Sequence, residues 1–274
     1  MKTRVLFGVV GFAFVLLALY VFPPVVLAIA LTVLATLAVY ELTTPTGLVK
    51  NPAARRIAWY TALLFGIFGW LGQDHDTQQV LLLYSGVALL MLVALFAVLL
   101  REHDTVDFQQ ITVAMFGGVG LPIMLLSLWR IFCMDGGEFL VLLPLVAAWG
   151  SDTCALFAGM AFGKHKLAPV VSPKKTVEGA IGGVVGATAL MLLVVYLFNH
   201  FAELDIHYAA AALMGAIGAV LGQVGDLSFS IIKRQSGIKD YSHLFPGHGG
   251  VLDRFDSVIF VAPAAEIILR LFGI

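Results

Sequence analysis

The stretch "QQVLLLYSGVALLMLVALFAVLL", residues 78–100, runs 23 residues without a single charge. A helix needs roughly 20 apolar residues to cross a hydrocarbon layer, so this segment reads as a spanning helix. The rest of the chain agrees. Of 274 residues 60% are hydrophobic and 12% charged, with a mean hydropathy of +0.98, whereas soluble domains carry about 25% charged residues. That balance excludes a soluble globular protein. Nine runs are long and apolar enough to span: 5–22, 24–42, 57–72, 78–100, 110–131, 138–162, 175–199, 207–225 and 256–273. Barrel strands would instead appear as short alternating segments. The expectation is an all-α, polytopic membrane protein, one transmembrane domain over residues 1–274 with about nine helices.

The first run follows Lys2 and Arg4 and could be mistaken for a secretory signal. It is long for a signal core, and Pro23-Pro24 suits a hairpin between two spans, so it is read as a true first helix.

Orientation follows the positive charge. With the nine spans in place, one side receives Lys2, Arg4, Lys50, Arg55, Arg56, Arg101, Lys164, Lys166, Lys174, Lys175, Lys233, Arg234, Lys239 and Arg254, while the other keeps Arg130 and Arg270. The expectation is a protein of the cytoplasmic (inner) membrane, with its N-terminus and active site cytoplasmic and its C-terminus outside. The formal net charge of −1 hides this asymmetry, which suits an anionic partner on the cytoplasmic side. No nucleic-acid partner is expected. Cys133 and Cys154 fall at different depths and show no metal-ligand spacing, so neither a mutual disulfide nor structural zinc is expected.

Chemistry gathers in 149–179 and 225–257. Asp253 and Asp256 are three residues apart, neighbours on one helical face. Asp226, Ser230 and Lys233 recur at i, i+4 and i+7, a polar stripe at the inner end of an apolar helix. Acids in a membrane segment are costly and mark functional candidates. Asp226, Asp253 and Asp256 together offer hard oxygen ligands suited to Mg²⁺; the alternative for Asp253 is an interfacial salt bridge with Arg254 or Lys233. In "PGHGG", 246–250, Gly249 and Gly250 allow close backbone approach to a ligand, and His248 either donates to a phosphate or caps the following helix. In "SPKKTVEG", 172–179, Ser172 and Pro173 read as N-cap and first helical residue. Lys174 and Lys175 would then sit unfavourably at the positive end of a helix dipole unless an anion binds there. Gly179 with Gly183, and Gly182 with Gly186, carry the spacing of close helix packing. Asp152, about 18 Å inside its helix at 1.5 Å per residue, is too deep for a bystander. Glu266 is read as a buried structural acid.

These residues carry a resemblance. Ser230, Lys233-Arg234, Lys239-Asp240, Pro246, His248-Gly249-Gly250, Asp253-Arg254 and Asp256 stand in the register of the phosphatidate cytidylyltransferase (CDP-diacylglycerol synthase) family. The "SPKKTVEG" segment and Asp152 resemble that family's other marked regions, so that most of 145–260 is covered. Leu156, Val177 and Phe229 depart from the common pattern. The resemblance implies that CTP and phosphatidic acid give CDP-diacylglycerol and pyrophosphate, in a homodimer embedded in the bilayer. It implies catalytic roles for Asp226, Lys233, Arg234, Asp253 and Asp256. Mg²⁺ would be held by Asp226, Asp253 and Asp256, with room for a second cation. Substrate binding would fall to Asp152, Ser172, Lys174, Lys175, Thr176, Ser230, Lys239, Asp240, His248, Gly249, Gly250 and Arg254. A CTP-dependent lipid-alcohol kinase shares the setting and is the alternative; it would also need a base beside its hydroxyl nucleophile.

Overall fold

The structure is a computed structural model, and it describes residues 15–73, 77–245, 247 and 249–274. Among the described residues the regular elements are helices apart from one short hairpin. In chain order the elements are α1 (Pro24–Thr43), α2 (Pro52–Leu71), α3 (Thr77–Arg101), α4 (Phe108–Met115), a π-helical turn (Phe116–Gly120), α5 (Leu121–Leu125) and α6 (Ser127–Phe132). There follow α7 (Gly137–Leu140), α8 (Leu142–Phe162), β1 (Lys166–Ala168), β2 (Ser172–Thr176), α9 (Val177–Phe201), α10 (Tyr208–Gln235) and α11 (Leu252–Leu271). Among the described residues six helical stretches are long and apolar enough to cross a membrane: Pro24–Thr43, Gln78–Arg101, Phe108–Phe132, Gly137–Phe162, Val177–Phe201 and Tyr208–Gln235. The chain is a multi-pass membrane protein. The other expected spans fall on α2, on α11, and on a first run lying mostly outside the described residues. On α3, Leu82, Leu90 and Leu100 are 72%, 71% and 78% exposed, an apolar surface that lipid covers and water would not.

Packing divides the chain into two units, one of residues 1–129 and 235–254, the other of 130–234 and 255–274. In the first unit α1 packs on α2 and α2 on α3. Asn51 caps α2, its side chain accepting from the amides of Ala53 and Ala54 at 2.9 and 3.0 Å, with Pro52 at the first helical position. Asp107 caps α4 through the amide of Gln110 at 2.8 Å. The π turn lies in "FGGVG" just ahead of Pro122, which has no N–H to continue the regular ladder. Gly118 there leaves room for Met91 and for the backbone of Ala58.

In the second unit α8 and α9 lie side by side along the expected glycine face. A methyl added at Gly182 would overlap Ala158, one at Gly186 would come 2.5 Å from Cys154 Sγ, and one at Gly179 would come 2.8 Å from the carbonyl of Ala155. Cys133 and Cys154 are both free thiols. Glu266, buried in α11, accepts from Arg130 Nε at 2.9 and 3.0 Å and from Arg270 Nε at 3.1 Å. The two arginines that stand apart from the basic side are thus the partners of one acid.

Gly182→Leu forces side-chain volume into the α8–α9 contact, an overpacking that costs about 1–3 kcal/mol. A thermal melt in detergent should show a lowered Tm for this variant. Gly86→Leu, where an added Cβ meets nothing within 4 Å, should melt like the parent; equal losses in both would argue against tight α8–α9 packing.

Candidate functional site

Small residues on α10 determine what meets at the site. A methyl at Gly222 would come 3.3 Å from Val261 and 3.5 Å from Ser257, and one at Gly225 would come 2.5 Å from the carbonyl of Asp256. Glycine at these steps lets α10 and α11 approach almost backbone to backbone. Asp226, the next residue on α10, is thereby placed within electrostatic range of Asp256. Asp152 on α8 lies within range of both. The hydroxyl of Ser257 is 3.4 Å from Asp152 Oδ2 and 3.4 Å from Asp256 Oδ1, and the Ser257 amide donates to Asp256 Oδ1 at 2.8 Å. Three carboxylates from three helices therefore share one polar patch.

Two lysines answer this charge. Lys175 Nζ pairs directly with Asp226 Oδ2 and also acts on Asp152. Lys233, in the last turn of α10, acts on Asp256. Ser230 donates to Asp226 Oδ1 at 3.3 Å, one turn along the expected polar stripe. Arg234 follows Lys233 and is exposed. Both cations sit at the negative end of the α10 dipole, where positive charge is favoured.

The lysine-rich segment differs from the sequence expectation. Ser172 does not cap a helix: Ser172–Thr176 is the strand β2, antiparallel to β1 with Lys166 opposite Thr176 and Ala168 opposite Ser172. Pro173 is tolerated because a two-stranded ribbon is all edge. α9 starts five residues later than Ser172, at Val177, and its cap is Thr176, whose hydroxyl accepts from the Gly179 amide at 3.1 Å. Lys174 and Lys175 accordingly lie on a strand. The acid of the first turn, Glu178, takes the favourable place at the dipole, so no bound anion is needed to relieve the helix start. Glu178 also accepts from the amides of Lys164 and His165 at 3.0 and 3.2 Å and lies 2.5 Å from His165 Nδ1. Lys174, Lys164 and Lys166 are exposed around this hairpin, beside an open cleft of about 400 Å³ lined by Ala161, Phe162, Gly163, Lys164 and Glu178.

The glycine-rich loop belongs to the first unit. Gly249 has φ +82°, and a methyl there would crowd Asp253 Cβ and Cγ at 3.0 Å. Asp253 Oδ2 accepts from the amides of Tyr241 and Gly250 at 2.8 and 2.9 Å, so this aspartate ties the loop to the start of α11 and takes up the Gly250 amide. Lys239, Asp240 and Arg254 are exposed. His248 and Pro246 lie outside the described residues. Sequence reasoning passed over Glu41, a buried acid in the last turn of α1 that meets the same loop. A lone acid closing an apolar run was the available signal.

No group of three or more His, Cys, Asp or Glu residues is arranged to hold a metal ion among the described residues. The donor chemistry nevertheless fits a hard cation: Asp226 and Asp256 supply two neighbouring carboxylates, and Mg²⁺ commonly takes one or two while water and substrate phosphate complete its octahedron.

Comparison with known proteins covers nearly the whole chain. The chain matches the Cytidylyltransferase family over residues 2–272. It is 34% identical over 281 residues to a phosphatidate cytidylyltransferase of Haemophilus influenzae, covering 96% of each chain. Proteins of that name from Bacillus subtilis and Staphylococcus aureus are 36% and 35% identical, over 67% and 70% of this chain and 69% and 70% of theirs. With nearly its whole length matched, this chain belongs to the cytidylyltransferase family.

Proposed function

We propose that the chain transfers the cytidylyl group of CTP to phosphatidic acid at the membrane surface, releasing pyrophosphate and leaving CDP-diacylglycerol in the bilayer. One observation carries the chemical reading: Asp152, Asp226 and Asp256 converge from α8, α10 and α11 with Lys175 and Lys233 around them. Such a site holds both signs of charge, as needed to bind a metal–triphosphate against a lipid phosphate.

The reaction requires little covalent work from the protein. A phosphate oxygen of phosphatidate forms a bond to the α-phosphorus of CTP, the bond from that phosphorus to the bridging oxygen breaks, and pyrophosphate leaves with the electron pair. Phosphatidate is already an anion, so no general base is needed. The rate comes from alignment and from neutralising charge in the transition state, as in phosphoryl transfer. Asp226 and Asp256 would hold Mg²⁺, with Asp253, one turn earlier on α11, the third hard donor proposed from the sequence. The cation would neutralise phosphate charge and draw electron density from the reacting phosphorus.

Lys175 serves by holding Asp226 in one orientation, because its ammonium is already committed to that carboxylate. Lys233, Arg234, Lys174 and Lys239 are the cations proposed to meet the triphosphate and the lipid headgroup, and Ser172, Thr176, Ser230, Asp240, His248, Gly249, Gly250 and Arg254 are proposed from the sequence to bind substrate. The family resemblance supports a homodimer. The charge asymmetry supports a cytoplasmic active site in the inner membrane, with the N-terminus on that side and the C-terminus outside.

CTP labelled at the α-phosphate, incubated with purified protein and phosphatidate, should label chloroform-extractable lipid only when Mg²⁺ is present. Label in lipid from γ-labelled CTP instead would mean a kinase. Lys175→Ala leaves Asp226 without its ion-pair partner and should lower turnover by about tenfold or more, on the scale of a lost charged contact at a reacting site. Unchanged kinetics in that variant would remove Lys175 from the account.

A further inference from the structure

Glu41 is 1% exposed and lies in the last turn of α1. That is the wrong place for an acid on its own helix, since the C-terminal end carries the negative pole. Its carboxylate is directed instead at the start of α11. Oε1 accepts from the Val251 amide at 2.9 Å and from the Ser242 hydroxyl at 2.6 Å, while Oε2 accepts from the Leu252 amide at 2.8 Å.

The start of α11 needs such a partner. The residue that precedes the helix is Val251, whose side chain cannot accept a hydrogen bond, and valine is among the poorest N-caps. Helix starts leave four amides unsatisfied. Glu41 supplies from 210 positions away in sequence the acceptor that Val251 lacks. Gly250 is part of the same device, because a methyl there would overlap the Glu41 carboxylate. Ser242 closes it from the other end of the loop.

We propose that Glu41 is a positioning residue for nucleotidyl transfer. Its carboxylate ties the Ser242 hydroxyl to the amides of Val251 and Leu252 at the start of α11 and so fixes the orientation of Asp253 in the first turn of that helix. Asp253 completes the clamp by holding the amides of Tyr241 and Gly250. The proposal rests on the cytidylyl-transfer reading; the clamp itself can be measured without it.

The test is Glu41→Gln in the full chain. Glutamine keeps the size but turns an NH₂ towards donors that need an acceptor. Hydrogen exchange should show the amides of Val251 and Leu252 losing protection while α8 and α9 keep theirs. Turnover should fall by about 10²-fold, the scale of a 1 Å misplacement at a reacting centre, with KM for CTP little changed. Wild-type kcat in this variant, or unchanged protection of the two amides, overturns the proposal. If Glu41→Gln does not fold, the pair Glu41→Ala and Gly250→Ala decides. Removing the carboxylate makes room for the added methyl, so the double variant should melt no lower than Glu41→Ala alone. A second, added loss of Tm in the double variant would overturn the proposal. A wild-type protein that transfers no cytidylyl group would overturn the reaction reading and the positioning role with it, whereas the exchange pattern would still report the clamp.

Discussion

A carboxylate inside an apolar bundle must find a cation or a set of hydrogen-bond donors, since lipid offers neither. The acids placed within these helices meet that constraint in three ways. Glu266 is answered by Arg130 and Arg270, a closed arrangement with a structural role. Glu41 is answered by two backbone amides and a hydroxyl, an arrangement that fixes a loop. Asp152, Asp226 and Asp256 are met by Lys175 and Lys233, an arrangement that gathers both signs of charge at one place. Such a grouping of acids and lysines suits a site that binds a cation together with phosphate.

The glycine faces make this grouping possible. Without small residues along α10, its axis would stand further from α11, and Asp226 could not share a field with Asp256. The same logic on α9 brings Asp152, carried by α8, to the patch. Close packing between helices that face lipid elsewhere is thus what assembles the chemistry, and Lys175 is brought to it by a hairpin tied down through Glu178.

Much of this was legible in the sequence. Long uncharged runs gave the helical membrane fold, the glycine spacings gave the α8–α9 contact, and the periodic Asp226, Ser230 and Lys233 gave the stripe beside the patch. Local signals misled at Ser172-Pro173. The pair reads as a helix start, but Thr176 with Glu178 two residues on is an equally good one, and the antiparallel pairing with Lys166–Ala168 decides between them. Nothing local marks that pairing. Glu41 was illegible for a related reason: its partners lie some 200 residues away, and a lone acid does not name the helix it will cap. Asp253 was visible as an acid beside glycines, but its use of the Tyr241 amide depends on a loop closure that spacing alone does not specify.

The central claim is that the patch of Asp226 and Asp256 is where transfer takes place. Its most direct test is the turnover of Asp226→Asn and Asp256→Asn, each shown to be folded and membrane-inserted, with CTP and phosphatidate under saturating Mg²⁺. Each substitution keeps the shape and removes the charge. Turnover should fall by about 10²–10³-fold in both, the range seen when an electrostatic stabiliser is removed from a reacting site. Near-parental turnover in both variants would contradict the account and move the reaction elsewhere on the protein.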